Sequence, residues 1–133
     1  MKIDVTSLEK AIDALRRGIS RSTAAPGDEE LRDAVIQRFE FTMDLSWKLI
    51  QRFLKGVGVP DSEIRTKRDL FREAARLGLI EAPERWFAYY EARNATSHTY
   101  NQEIAGRVYR QAIEFFNDVL ILLNQLKQED LND

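Results

Sequence analysis

Between Val5 and Leu126 the apolar residues recur at intervals of three and four, and nowhere do they alternate over a useful length. That rhythm matches the α-helical turn of about 3.6 residues and not the two-residue repeat of a half-buried strand. Val5, Leu8, Ile12, Leu15 and Ile19 form one stripe on a first helix ending near Ser22, before the Ala24-Ala25-Pro26-Gly27 break. Asp28 is a suitable N-cap for a second helix, with Glu29 and Glu30 at its positive end, running to about Lys55. This helix carries two stripes: Val35, Phe39, Met43, Ile50, Leu54, and beside it Leu31, Phe41, Leu45, Leu49, Phe53. So wide an apolar surface must be covered on more than one side, and a second copy of the chain is one way to cover it.

The remaining breaks fall at regular places. Gly56-Val57-Gly58-Val59-Pro60 is a helix stop and not a phosphate loop, since no strand precedes it and no Lys-Ser/Thr follows. Thr66 with Asp69 has capping-box form and starts a short helix that stops at Leu77-Gly78. Pro83 suits the first turn of a fourth helix carrying Trp86, Phe87, Tyr89 and Tyr90. A last helix is expected from near Asn101 to about Gln128. Its stripe is Ala105, Tyr109, Ala112, Phe116, Val119, Leu123 and Leu126, flanked by Val108, Phe115 and Leu122. The expected fold is all-α, an antiparallel bundle of four to five helices with short connections. At 133 residues the chain is read as one domain, 1–133.

Composition narrows the function classes. There is no Cys, so disulfides, thiolate metal sites and thiol nucleophiles are excluded. The longest apolar run, Val119 to Leu123, is far too short to span a bilayer, and Met1-Lys2-Ile3-Asp4 does not open like a secretory signal. A cytoplasmic protein without membrane contact is expected. The net charge of -2 shows no basic excess of the kind nucleic-acid binders carry. The best local basic patch is Arg65, Lys67, Arg68, Arg72 and Arg76, which read most simply as a solvated helix face. Trp47, Trp86, Tyr89 and Tyr90 have the flat rings that stack on bases, but aromatics at helical spacing more often fill a core or an interface. Glu40 and Asp44 lie one helical turn apart. With one His in the chain they make a thin case for a metal, and none is expected; they read more simply as surface acids or as a partner for Arg93.

That one histidine, His98, lies among Arg93, Asn94, Thr96, Ser97, Thr99, Tyr100 and Asn101. Arg is a permanent cation whose fork fits phosphate oxygens. Imidazole titrates near neutral pH and can move a proton. Together they suit phosphodiester chemistry, in which one group activates a hydroxyl and another neutralises the charge that builds in the transition state. On a straight helix, however, Arg93 and His98 would stand about 140° apart at roughly 100° per residue. They converge only if the helix ends between them, near Ser97, or if another chain completes the site. The plain alternative is a helix C-terminus capped by His98, with the rest exposed.

The spacing Arg93-(four residues)-His98-Thr99-Tyr100 resembles the R-x4-H-x-Y motif of HepT-type toxins in the HEPN superfamily, and Asn94 after the Arg resembles the R-N form common across HEPN ribonucleases. Residues 38–48 resemble the second-helix signature of the branch known as nucleotidyltransferase substrate-binding proteins. Asp61-Ser62, leading into residues 71–80, resembles its middle segment. The resemblance spans roughly residues 5 to 125.

It implies a helical homodimer whose two motifs face each other, acting as a metal-independent endoribonuclease without cofactor. It further implies a partner, a minimal nucleotidyltransferase that silences the toxin by transferring AMP onto the motif tyrosine. Carried over residue by residue, His98 is the proton-transfer group, Arg93 the phosphate clamp, Asn94 an orienting group and Tyr100 the AMP acceptor. Ser97 and Asp44 are supporting residues. Many relatives carry Glu where this chain has Asp44, and the shorter carboxylate can still polarise Arg93 or His98. Two other readings stand beside the toxin: a non-catalytic subunit that presents substrate or nucleotide to the nucleotidyltransferase, and a structural helical dimer with a degenerate site.

Overall fold

The five expected helices all form, and three of them begin on side-chain caps. The computed structural model describes residues 2–131, with side chains described to residue 129. Helix α1 spans Thr6–Ala24, α2 Glu29–Gly56, α3 Lys67–Arg76, α4 Pro83–Asn94 and α5 Gln102–Leu131. Asp28 caps α2 by accepting from the Leu31 amide at 3.1 Å, and Thr66 caps α3 by accepting from Asp69 at 3.1 Å. The return bond of a capping box at Thr66 is replaced by an ion pair from Asp69 to Arg72 at 3.7 Å. Asn101 caps α5 through the amides of Glu103 and Ile104. Gly78, with φ at 83°, sits in the left-handed region that ends α3 without a side-chain clash. A short 3-10 turn, Asp61–Glu63, between α2 and α3 has no counterpart in the periodicity, because three residues show no period.

Helix α1 runs along α2, α5 packs on α1, α2 and α4, and α3 closes one side against α2 and α4. No strand occurs among the described residues. The core is centred on aromatic edges. Phe115 of α5 meets Phe39 of α2 at 5.2 Å and Trp86 and Tyr89 of α4 at 5.5 and 5.3 Å, all near perpendicular. That geometry sets a positive ring edge on a negative face. Phe71 carries the cluster into α3 by lying 5.7 Å from Trp86.

The first stripe of α2 is wholly buried, whereas the second is buried only in part. Leu49 and Phe53 are buried, Leu45 is half-buried and Phe41 is 60% exposed. The wide apolar surface read from the sequence is therefore covered only in part by this chain's own helices. On α5 the deepest positions are Ala105, Val108, Ala112, Phe115, Val119, Leu122 and Leu126, with Tyr109 and Phe116 at the margin. No helix among the described residues is long and apolar enough to cross a membrane.

Candidate functional site

The α2–α4 seam is built like a ladder. Glu40 and Asp44 stand one turn apart on α2, so their carboxylates face the same neighbour. Arg93 in the last turn of α4, and Thr96 three residues on, face back. Because the two helices run antiparallel, the earlier acid meets the later donor. The Thr96 hydroxyl donates to Glu40 at 2.5 Å, and Arg93 donates to Asp44 through Nε and Nη2 at 2.7 and 2.9 Å. The next rung is aromatic: Trp47 of α2 and Tyr90 of α4, with the Lys67 ammonium 3.9 and 5.7 Å from their ring centres.

The fork-to-carboxylate match at Arg93 is the geometry that favours Arg over Lys. It also raises the guanidinium's pKa, chiefly through the hydrogen bonds to Asp44, against a desolvation cost of partial burial. Glu40 adds a second favourable charge, and Tyr90 lies close enough to contribute. Part of the N–H fork goes to Asp44, and the rest makes no hydrogen bond among the described residues. Of the two side chains that Asp44 was expected to polarise, it hydrogen-bonds Arg93.

Helix α4 stops at Asn94, three residues before the expected end, and continues as a 3-10 turn over Ala95–His98. Asn94, Ala95, Thr96 and Ser97 are weak holders of an α-helix compared with straight-chain residues, apart from the alanine. Here the hydroxyls bond back to the chain: Thr96 to the Arg93 carbonyl at 2.8 Å, Ser97 to that of Asn94 at 3.4 Å and Thr99 to that of Thr96 at 3.1 Å. A 3-10 turn advances about 120° per residue. Five steps from Arg93, mostly in that geometry, therefore still leave His98 well round the axis from it. The helix end alone does not bring the two together, and among the described residues no hydrogen bond or ion pair joins them.

His98, Asn94, Ser97 and Tyr100 are all exposed, and Tyr100 is 82% so. The His98 and Tyr100 rings are 6.0 Å apart at 75°. His98 does not cap the preceding helix by any hydrogen bond seen here, and the cap of the next helix is Asn101. The structure thus separates the motif into a fixed half (Arg93 with Thr96, held on α2) and a presented half (Asn94, Ser97, His98, Tyr100). Glu40 and Asp44 are both engaged by this ladder. No cluster of three or more His, Cys, Asp or Glu that could hold a metal occurs among the described residues.

Two features escaped the sequence reading. Glu40 read as a surface acid or a partner for Arg93, and its bond to Thr96 becomes visible only once α2 and α4 are paired. The other is a network of α4 and α5 that is buried at Tyr89 and Asp118 and opens to solvent at Arg85. Asp118 takes two hydrogen bonds from Arg85, at 2.8 and 2.9 Å, and one from the Tyr89 hydroxyl. Burial pushes the Asp118 carboxyl up, and the hydrogen bonds from Arg85 and Tyr89 more than offset this, leaving it below its ordinary value. Burial, then the bond to Asp118, pushes the Tyr89 phenol well above its own. The signal was an acid set between Phe115 and Val119 in an otherwise apolar stripe.

A family model described as "nucleotidyltransferase substrate binding protein like" matches residues 3–128. The chain is 42% identical over 100 residues to a Haemophilus influenzae protein named "Probable ribonuclease HepT", covering 74% of this chain and 68% of that one. It is similar to a solved Haemophilus influenzae structure described as revealing the fold of a substrate-binding domain of a nucleotidyltransferase. That match has a TM-score of 0.85 and 34% identity, over 93% of this chain and 99% of the other. A Thermus thermophilus structure is similar with a TM-score of 0.71 and 26% identity, over 90% of this chain and 98% of that one.

Proposed function

The chain belongs to the nucleotidyltransferase substrate-binding protein-like family, and from that premise we propose that it is a metal-independent endoribonuclease acting at the Arg93–Tyr100 segment. The observation that carries the reading is the division of labour in that segment. A guanidinium is held rigidly by Asp44 with part of its fork still available. One turn further on, an imidazole and a phenol are presented to solvent. The name of the Haemophilus influenzae relative supports the same reaction class.

In the proposed reaction the ribose 2′-oxygen attacks the adjacent phosphorus. The O2′–P bond forms, the P–O5′ bond breaks, and the proton lost by the 2′-hydroxyl is balanced by one gained at the leaving 5′-oxygen. His98 handles a proton, and Arg93 neutralises the charge on the non-bridging oxygens. Two proton transfers suit two imidazoles, yet each chain has one. A homodimer supplies the second, and Phe41 on the uncovered ridge of α2 offers apolar area for its interface. Asn94 and Ser97 flank the bound phosphate.

A minimal nucleotidyltransferase is the proposed partner. The Tyr100 oxygen attacks the α-phosphorus of ATP, pyrophosphate leaves and the phenolic proton passes to solvent. The exposure of Tyr100 makes it accessible to another protein's active site. An AMP phosphate there would set a negative charge beside His98 and repel RNA.

The test is incubation of purified protein with total tRNA or messenger RNA. Cleavage abolished in His98→Ala supports the reading, and wild-type protein that cleaves no better than His98→Ala overturns it. A second reading, the non-catalytic subunit that presents a substrate or nucleotide to the nucleotidyltransferase, is favoured by the net charge of -2 and by the engagement of Arg93 with Asp44. Intact mass after mixing with partner and ATP separates the two. Added AMP that vanishes in Tyr100→Phe supports the toxin scheme, and a tight complex with no mass change supports the adapter.

A further inference from the structure

The rung beyond Arg93 carries charge in an unusual setting. Lys67 lies over Trp47 and Tyr90, and it makes no ion pair with a carboxylate among the described residues. On the same short helix the Arg68 and Arg72 guanidinium groups lie 4.6 and 5.4 Å from the Phe87 ring centre. Each also has an acid nearby, the exposed Glu91 at 3.3 Å and the half-buried Asp69 at 3.7 Å respectively. The three rings are half-buried, so cations fixed on them stand at the surface with reduced freedom.

The cluster continues the α2–α4 ladder. Trp47 is three residues from Asp44, and Tyr90 three from Arg93, so these two rungs are about 4.5 Å apart along the helices. Resting on the ribonuclease reading above, we propose that this cation-on-aromatic platform is the track along which single-stranded RNA approaches the motif. Lys67, Arg68 and Arg72 hold backbone phosphates, and the rings of Trp47, Tyr90 and Phe87 fix those cations from beneath. A flexible strand of regularly spaced anions matches a row of cations held in place at the surface. A protein partner docking through apolar area matches it less well, because cations already lie over the rings. The basic stretch that read as a plain solvated face is thereby given a direction, toward Arg93.

The experiment measures anisotropy of fluorescein-labelled oligouridine with His98→Ala protein, whose site would leave the RNA intact, over a range of salt concentrations. Variants in that background are Lys67→Gln, Arg72→Gln and the pair. Arg76→Gln is the control, on the same helix, exposed and paired with Glu73. Each phosphate contact contributes roughly 0.7 to the slope of log K against log salt for a single strand. The paired variant is therefore expected to lower the slope by about 1.4, with Arg76→Gln unchanged and all melting points close to the parent. In the otherwise wild-type enzyme the pair should raise KM and leave kcat.

If wild-type protein cleaves RNA while the paired variant keeps its KM and its salt slope, the track is overturned and the ribonuclease stands. If the pair keeps its RNA affinity but loses the nucleotidyltransferase, the platform is a protein-docking surface and the proposal is overturned. Wild-type protein that neither binds nor cleaves RNA overturns both.

Discussion

Replacing Asp44 by Asn removes the charge that holds Arg93 while keeping the shape of the side chain. The two side chains are 28% and 29% exposed, between a surface pair and a buried one. Exposed pairs contribute about 0.2–1 kcal/mol, whereas removing one partner of a fully buried pair costs about 3–5. Two short charge-assisted hydrogen bonds in a half-buried seam therefore suggest a coupling of about 1–2 kcal/mol.

The assay is a double-mutant cycle with Asp44→Asn, Arg93→Gln and both together, read by urea denaturation. Asp44→Asn alone is expected to lower stability by about 1 kcal/mol and the melting temperature by roughly 3–5 °C for a chain of this size. The second substitution should then cost much less than it does alone. In the RNA-cleavage assay a guanidinium freed from its carboxylate loses its position, and displacement by about 1 Å can cost on the order of 100-fold. Asp44→Asn should thus reduce kcat well beyond its effect on stability. A coupling below about 0.3 kcal/mol, within ordinary additivity, would show that Asp44 and Arg93 act independently and refute the reasoning.

Two other predictions rest on contacts the sequence did not announce. In Asp118→Asn the charge-paired acceptor for Arg85 and Tyr89 is lost, at a cost of about 1–2 kcal/mol given that Arg85 is half-exposed. Because the folded-state pKa of Asp118 is lowered, the wild-type advantage is fully present above the unfolded carboxylate pKa of about 4. It is lost as pH falls through the still lower folded value, so denaturation curves of the two proteins should converge in acid; a constant gap would remove this role. Thr96→Val deletes the hydroxyl shared between Glu40 and the Arg93 carbonyl and should destabilise by about 1 kcal/mol, with a fall in cleavage larger than that of Ser97→Ala. Equal effects of the two on melting temperature and cleavage would show that the turn does not depend on Glu40.

The helices, their caps and their order were legible because each rests on interactions within a few residues. Asp28 and Thr66 cap through amides three residues away, Pro83 starts α4, Gly78 ends α3, and stripes at three and four spacing select the buried face. The candidate motif was legible for a different reason, as a cluster of residue types with one histidine and a recognisable spacing. What periodicity cannot carry is which residue faces which across a seam, because that depends on the axial offset of two helices 49 residues apart in sequence. Only the packed bundle pairs Asp44 with Arg93, Glu40 with Thr96 and Lys67 with Trp47, and only it shortens α4 to Asn94 and leaves His98 and Tyr100 outward. Local hydrogen bonds and apolar spacing determined the elements. Charged, polar and aromatic side chains, brought into register when the core around Phe115 closes, decided the geometry of the candidate site.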